Sequence, residues 1–244
     1  MSSWPVLVVC GLFAFGAILI LLEHRVHRPG GQRCRADWIK YWIFVPIILS
    51  LLLAAHFSRL LVAFILGCIA LGGTMEIYWN LHNRFRLFVA LVLFPIFLFA
   101  LGHLLSVNPS SWPTSFGTAV LFVATMDAFS QLWGRLLGRH KLCPRLSPRK
   151  TVEGLCGGLL TTALVAALLG SWTPHMVWTR LVSLALLTAG AGLAGDLSFS
   201  AIKRRLAIKD FSSLLPGHGG VLDRFDSLIF AAPAYYWASV WLMG

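Results

Sequence analysis

Charge is what this chain has little of. Only 12% of its 244 residues are charged while 58% are apolar, and the mean hydropathy is +0.79. Ordinary globular proteins carry about a quarter charged residues, so the composition excludes a soluble domain and points to a polytopic helical membrane protein. Acidic residues are scarcer still, nine against 20 Lys and Arg, for a net charge of +11. Those basic residues fall between apolar runs, the pattern that loop charge bias produces, so no nucleic-acid partner is expected. Cysteine is sparse as well. Cys10, Cys34, Cys68, Cys143 and Cys156 are scattered, with no Cys-x-x-Cys pair and no metal-like spacing, which excludes a disulfide framework. A P-loop is also missing, which removes the commonest route to ATP chemistry. Residues 1–22 lack charge, but no basic segment precedes the apolar run and no small-residue cleavage site follows it. A retained first span is therefore expected.

What is present is a series of long apolar runs. A membrane-spanning helix needs about 20 such residues, and charge-free stretches place spans near 4–22, 39–56, 59–75, 87–106, 115–133, 154–171, 178–195 and 225–243. The run from Leu87 to Met126 is too long for one helix, and "NPSSWPTS" (108–115) breaks it with two prolines and several turn formers. "SWTPH" (171–175) divides the next long run in the same way. Trp4, Trp38, Trp42, Trp112, Trp172 and Trp178 lie near span ends, as interfacial anchors do. The expected fold is all-α, with about eight transmembrane helices.

Loop charge sets the orientation. Lys and Arg number five in 23–40, two in 76–86, six in 134–153 and five in 196–224. The intervening connections and both termini carry none, apart from Arg59 in a short turn and Arg180 just inside the seventh span. That alternation predicts both termini outside and every charge-dense loop in the cytoplasm.

Three features invite sharper readings than their context supports. "GAGLAG" (190–195) has dinucleotide-fingerprint spacing but lies inside an apolar helix, where small residues serve close helix packing. "HRVH" (24–27) has two histidines but no further ligands, so a solvated juxtamembrane segment is expected in place of a zinc site. Glu76, near the end of the third span, reads as an interfacial charge and not as a proton relay.

Three other segments carry chemistry. Asp127 in "MDAFSQLWG" (126–134) sits in the cytoplasmic third of the fifth span. An intramembrane aspartate faces either a polar cavity or a packing partner such as Gln131 or Arg135, and both readings stand. In "GRHKLCPRLSPRKTVEG" (138–154), basic side chains accompany Ser147, Thr151 and Glu153 at the mouth of the sixth span. Lys150, the hydroxyls and the N–H groups of a helix start together suit a polyphosphate. The third segment is "GDLSFSAIKRR" followed by "LAIKDFSSLLPGHGGVLDRFD". Asp196, Ser200, Lys203 and Arg204 recur on one helical face, and Lys209 follows. A glycine-rich turn containing His218 then leads to Asp223 and Asp226. Carboxylates from both ends of one loop beside basic groups fit a divalent cation that also binds substrate phosphates, since Mg²⁺ commonly takes one or two carboxylates.

The stretch "SAIKRRLAIKDFSSLLPGHGGVLDRFD" (200–226) resembles the signature of the phosphatidate cytidylyltransferase (CDP-diacylglycerol synthase) family. "LSPRKTVEG" is similar to its second motif, and the span-five aspartate has a counterpart there. The resemblance covers roughly 120–244, which divides the chain into N-terminal transmembrane helices (1–114) and a catalytic membrane domain (115–244). Two positions depart from the family: Val152 stands where a tryptophan is common, and "AFSQ" follows Asp127 where small residues are common.

The resemblance implies that CTP and phosphatidate give CDP-diacylglycerol and pyrophosphate at the cytoplasmic face, in phospholipid synthesis. It implies Mg²⁺ on Asp196 and Asp223, with a second cation left open. Lys150, Lys203, Arg204 and Lys209 would neutralise phosphate charge, with Ser147, Thr151, Glu153, Ser200 and Asp127 completing the substrate contacts. Asp226 would orient Arg224 or a metal-bound water, and His218 would contact phosphate or shape the turn. The resemblance further implies a homodimer in a bacterial inner membrane. Two alternatives remain: a divergent paralogue acting on another lipid phosphate, and an ion-coupled transporter. The transporter would place charge at the bilayer midplane within two related halves, and neither feature is seen in this sequence.

Overall fold

The computed structural model describes residues 4–27, 31–57, 59–80, 116–171, 177–212 and 219–243. These residues form seven helices and one small hairpin: α1 (Trp4–His27), α2 (Gly31–Phe57), α3 (Arg59–Asn80), α4 (Phe116–Leu137), β1 (Lys141–Cys143), β2 (Ser147–Thr151), α5 (Val152–Ser171), α6 (Trp178–Arg205) and α7 (Leu222–Met243). Five of them, α1, α2, α3, α5 and α6, contain stretches long and apolar enough to cross a membrane. The chain is a multi-pass membrane protein. Helices α4 and α7 have 22 residues each but interrupt their apolar runs with Asp127, Gln131 and Arg135, and with Asp223, Arg224 and Asp226. The expected span at 87–106 and the break at 108–115 lie outside the described residues, as do Trp112, Trp172 and His218.

The helices outrun the apolar cores that announced them, and they do so on one kind of end. α1 continues from 22 to 27, α3 from 75 to 80, α4 from 133 to 137 and α6 from 195 to 205, while α2 begins at 31 and α7 at 222. Every extension runs into a basic loop. Hydrogen bonding does not stop where hydrophobicity does, and charged turns project readily into water. Along α5, Leu160, Leu164 and Leu168 recur every four residues and are each more than half exposed, an apolar stripe suited to lipid. Thr162, Val165, Ala166 and Leu169 are buried.

The all-α expectation needs one amendment. Residues 141–151 form an antiparallel hairpin in which Lys141 pairs with Thr151 and Cys143 with Ser147. Leu146 N–H donates to the Cys143 carbonyl at 3.2 Å, closing a four-residue turn with Pro144 at its second position, where proline's fixed φ fits. The two prolines that make the segment look like open loop are thus compatible with a short exposed ribbon.

The chain forms two compact units that interleave along the sequence: Met1–Ser50 with Ala124–Leu186, and Leu51–Val123 with Leu187–Gly244. In the first, Leu19 and Ile20 of α1 pack with Phe129 and Leu132 of α4, flanked by Trp38 and Tyr41 of α2. The same three helices share a buried charge cluster. Arg135 donates to Asp37 at 2.9 Å, His24 Nε2 lies 3.3 Å from Asp37, and Glu23 is 3.9 Å from Arg135. The "HRVH" segment is therefore helical, and His24 is largely buried, not solvated. Its donors and those of Glu23 and Asp37 are close enough for a metal ion, but the guanidinium already bridges the carboxylates.

In the second unit, α6 and α7 approach closely at Gly195, where an added Cβ would lie 2.6 Å from the Asp226 carbonyl and 3.0 Å from Phe230 Cβ. Gly192 and Gly195 of "GAGLAG" thus serve helix packing, as expected, whereas an added Cβ at Gly190 would meet nothing within 4 Å. Ile77, Phe199, Phe211 and Leu222 form a core beneath the loop that joins α6 to α7.

Candidate active site

α6 ends on a sharp reversal. Ala207 N–H donates to the Arg204 carbonyl at 3.2 Å and Ile208 N–H to the Lys203 carbonyl at 3.0 Å, with Ala207 at φ 55°. This is a Schellman termination, which places one residue in the left-handed region and satisfies the last carbonyls of the helix. The turn sends the chain back toward α7 and leaves the Lys203 side chain facing it.

Asp223, in the first turn of α7, is the hub of the loop. Its Oδ1 accepts from Lys203 Nζ at 2.7 Å. Its Oδ2 accepts from Phe211 N–H at 2.8 Å and Gly220 N–H at 2.9 Å. One carboxylate therefore fastens both ends of the loop and a cation from α6. The Asp223 side chain is 3% exposed and that of Lys203 14%. Lys203 also lies 5.7 Å from the centroid of the Phe211 ring, an electrostatically favourable position. Gly219, at φ 79°, packs against the same carboxylate. A side chain there would meet both backbone strain and the Asp223 oxygen.

Asp196 lies one residue beyond the Gly195 contact, half-buried, with Ser200 Oγ 3.3 Å from its Oδ1. Asp226 is buried, and its Oδ1 accepts its neighbour's Ser227 N–H at 2.8 Å. Arg204 and Lys209 are exposed. The three aspartates do not converge into a three-ligand cluster among the described residues. A Mg²⁺ ion of the kind held by one or two carboxylates still fits this donor set. The donors are hard oxygens from two segments, and Asp223 uses three of its roughly four acceptor positions on hydrogen bonds.

The second motif belongs to the first compact unit. Thr151 is buried at the start of α5 and its hydroxyl accepts from Gly154 N–H at 3.1 Å, an N-cap that uses one of the helix-start donors itself. Glu153 accepts from the Arg139 and His140 N–H groups at 3.0 and 3.1 Å, and its carboxylate lies 2.6 Å from His140 Nδ1. Both residues thus have local structural partners that the sequence did not reveal. Ser147 and Lys150 are half-buried on β2, and alternation along the strand turns Lys150 to the face opposite Thr151. Asp127 is half-buried on α4, where Ser130 Oγ donates to its carbonyl at 3.1 Å.

The sequence reading missed one residue. Glu76 is 3% exposed and does not face solvent as expected of an interfacial charge. Its Oε1 accepts from Ser212 Oγ at 2.6 Å and Val221 N–H at 2.7 Å, and its Oε2 from Leu222 N–H at 2.9 Å. The available signal was "GGTME": two glycines one turn before a carboxylate in an apolar helix mark close backbone approach.

Comparison with known proteins places the chain in a family. An uncharacterized protein of Escherichia coli (strain K12), YnbB, is 39% identical over 146 residues, covering 57% of this chain and 49% of that protein. A phosphatidate cytidylyltransferase of Staphylococcus epidermidis is 42% identical over 116 residues, 47% of this chain and 45% of that one. The matches to these relatives span about half their length. One from Rickettsia bellii is 31% identical over 228 residues, 89% of this chain and 97% of its own. The model of the cytidylyltransferase family matches residues 2–241, and the chain belongs to that family.

Proposed function

We propose that the protein transfers a cytidylyl group from CTP to phosphatidate, releasing pyrophosphate and leaving CDP-diacylglycerol in the membrane. The observation that carries this reading is the Lys203–Asp223 hub, a largely buried cation and carboxylate fastened into one loop. The attacking phosphate monoester is already close to doubly negative at neutral pH, its second pKa being about 6. It needs no general base. It needs its repulsion from the triphosphate suppressed and its oxygen held in line.

Lys203, Arg204, Lys209 and Lys150 would supply positive charge to the two phosphate groups, with Ser147 and Ser200 as hydroxyl donors. Asp196 and Asp223 would hold Mg²⁺, which when bound polarises phosphate oxygens and offsets their charge. Asp226 would orient Arg224. Thr151 and Glu153 would shape the nucleotide segment through the cap and turn they make. The lipid substrate would arrive laterally in the bilayer with its head group at loop depth.

We propose with this the eight-span topology, the charged loops in the cytoplasm of a bacterial inner membrane, and, on resemblance alone, a homodimer. The eight apolar runs of the sequence and the alternation of basic and charge-poor connections support the span count.

The test is incubation of purified protein with radiolabelled CTP, Mg²⁺ and phosphatidate, followed by lipid extraction. Label in the lipid phase that depends on phosphatidate is the expected result. Label only with another lipid phosphate would make the chain a paralogue, and none with any would end the reading.

A further inference from the structure

Glu76 lies in the N-terminal half, far in sequence from every motif that carries the chemistry, yet it touches the signature loop at three points. Ser212 stands at the entry of that loop, and Val221 and Leu222 at its exit into α7. Asp223 bridges the same two ends through Phe211 and Gly220. Two carboxylates thus clamp one loop, one from α3 and one from α7.

The sequence of α3 explains how it reaches. Gly72 and Gly73 face Val221 and Leu222, where an added Cβ would come within 3.1 and 3.0 Å of those side chains. Without side chains there, α3 approaches the start of α7 closely enough for Glu76, one turn on, to accept the first N–H groups of that helix. Gly220 sits directly against the same carboxylate. The first N–H groups of any helix lack intrahelical acceptors, and a negative charge among them is favourable. Glu76 performs that capping from another helix.

We propose that Glu76 is a positioning residue of the active site: it fixes the start of α7, and so the direction in which Asp223 presents its remaining acceptor position to a metal ion. This rests on the proposed function for its kinetic arm only. Glu76→Gln keeps the shape but sets an amide NH₂ against backbone donors and removes the charge.

The experiment uses purified full-length protein in phosphatidate-containing nanodiscs, with turnover measured across a Mg²⁺ series and amide exchange read across residues 211–223. Glu76→Gln should lower kcat about tenfold to hundredfold, the usual cost of losing a residue that orients a metal-binding carboxylate. The Mg²⁺ requirement should rise, while KM for CTP moves less. Exchange at Val221 and Leu222 should quicken with the rest of α3 still protected. Wild-type turnover overturns the proposal, as does lost turnover with unchanged exchange, because the loop would then be held without Glu76. If Glu76→Gln does not fold, Ser212→Ala decides. Removing one of the three bonds should quicken exchange at Val221 and lower kcat about fivefold, and wild-type values for both sink the idea. Should the wild-type protein make no CDP-lipid, the proposed function falls while the exchange arm still tests the clamp.

Discussion

Lys203 and Asp223 stand 20 residues apart in sequence and 2.7 Å apart in space, one at the end of α6 and the other at the start of α7. Each leaves the other's charge compensated in a nearly buried setting. Removing one partner is therefore not equivalent to removing both. Lys203→Met strands a buried carboxylate and should cost about 3–5 kcal/mol of stability. The double variant Lys203→Met, Asp223→Asn should recover much of that, seen as thermal unfolding in detergent. Activity should not return with it. Asp223→Asn alone should lower turnover at least about a hundredfold, the scale of losing an electrostatic stabiliser. Near-normal turnover in that variant would remove Asp223 from the chemistry.

Lys150 separates two explanations of the basic 134–153 loop. Five other Lys and Arg in that loop preserve its charge bias if Lys150 becomes Met. Insertion should be normal, and CTP turnover should fall by roughly 2–4 kcal/mol in transition-state terms, as for one deleted charge in a desolvated contact. Lys150→Arg should recover only part, since a planar fork does not replace a compact ammonium. Wild-type kinetics in Lys150→Met would reduce the segment to a membrane anchor.

Ala207 holds its place at the end of α6 by adopting φ 55°, a conformation that costs an ordinary side chain roughly 1 kcal/mol or more and glycine little. Ala207→Gly should raise the unfolding midpoint by about 2–4 °C. A lowered midpoint would show that the Ala207 methyl group contributes packing that outweighs the strain.

Cys34 and Cys143 both lie in basic segments and are partly accessible. In variants keeping one of them as the sole cysteine, an impermeant thiol reagent should label inverted vesicles and leave intact cells unmodified. Labelling from outside would reverse the proposed orientation and put the nucleotide site in the wrong compartment.

Local features of the fold were legible in the sequence because their causes are local. Apolar runs placed the helices to within a few residues at their uncharged ends, since lipid sets that limit. They misplaced the charged ends, where backbone hydrogen bonding continues past the last apolar residue, as from Gly195 to Arg205. Asp223 and Lys203 were legible because they share one short stretch rich in chemistry. The roles of Thr151 as a cap and Glu153 as a turn acceptor were not, because capping depends on where a helix starts by one residue. Glu76 was misread for a different reason. Its partners lie 136 to 146 residues away, and no local pattern shows whether an acidic residue at a span end meets water or another helix's amides.

The three bonds to Glu76 also impose an order on the protein's birth. The ribosome adds roughly 5–20 residues each second, so the 145 additions that separate Glu76 from Val221 take about 7–30 seconds. Throughout that interval α3 is already made while the amides its carboxylate will cap do not yet exist. The loop that Glu76 and Asp223 fasten is completed long after α3, and it arrives at a receptor that has been waiting for it. A chain stopped before α7 would have α3 in place and no helix start for the Glu76 carboxylate to cap.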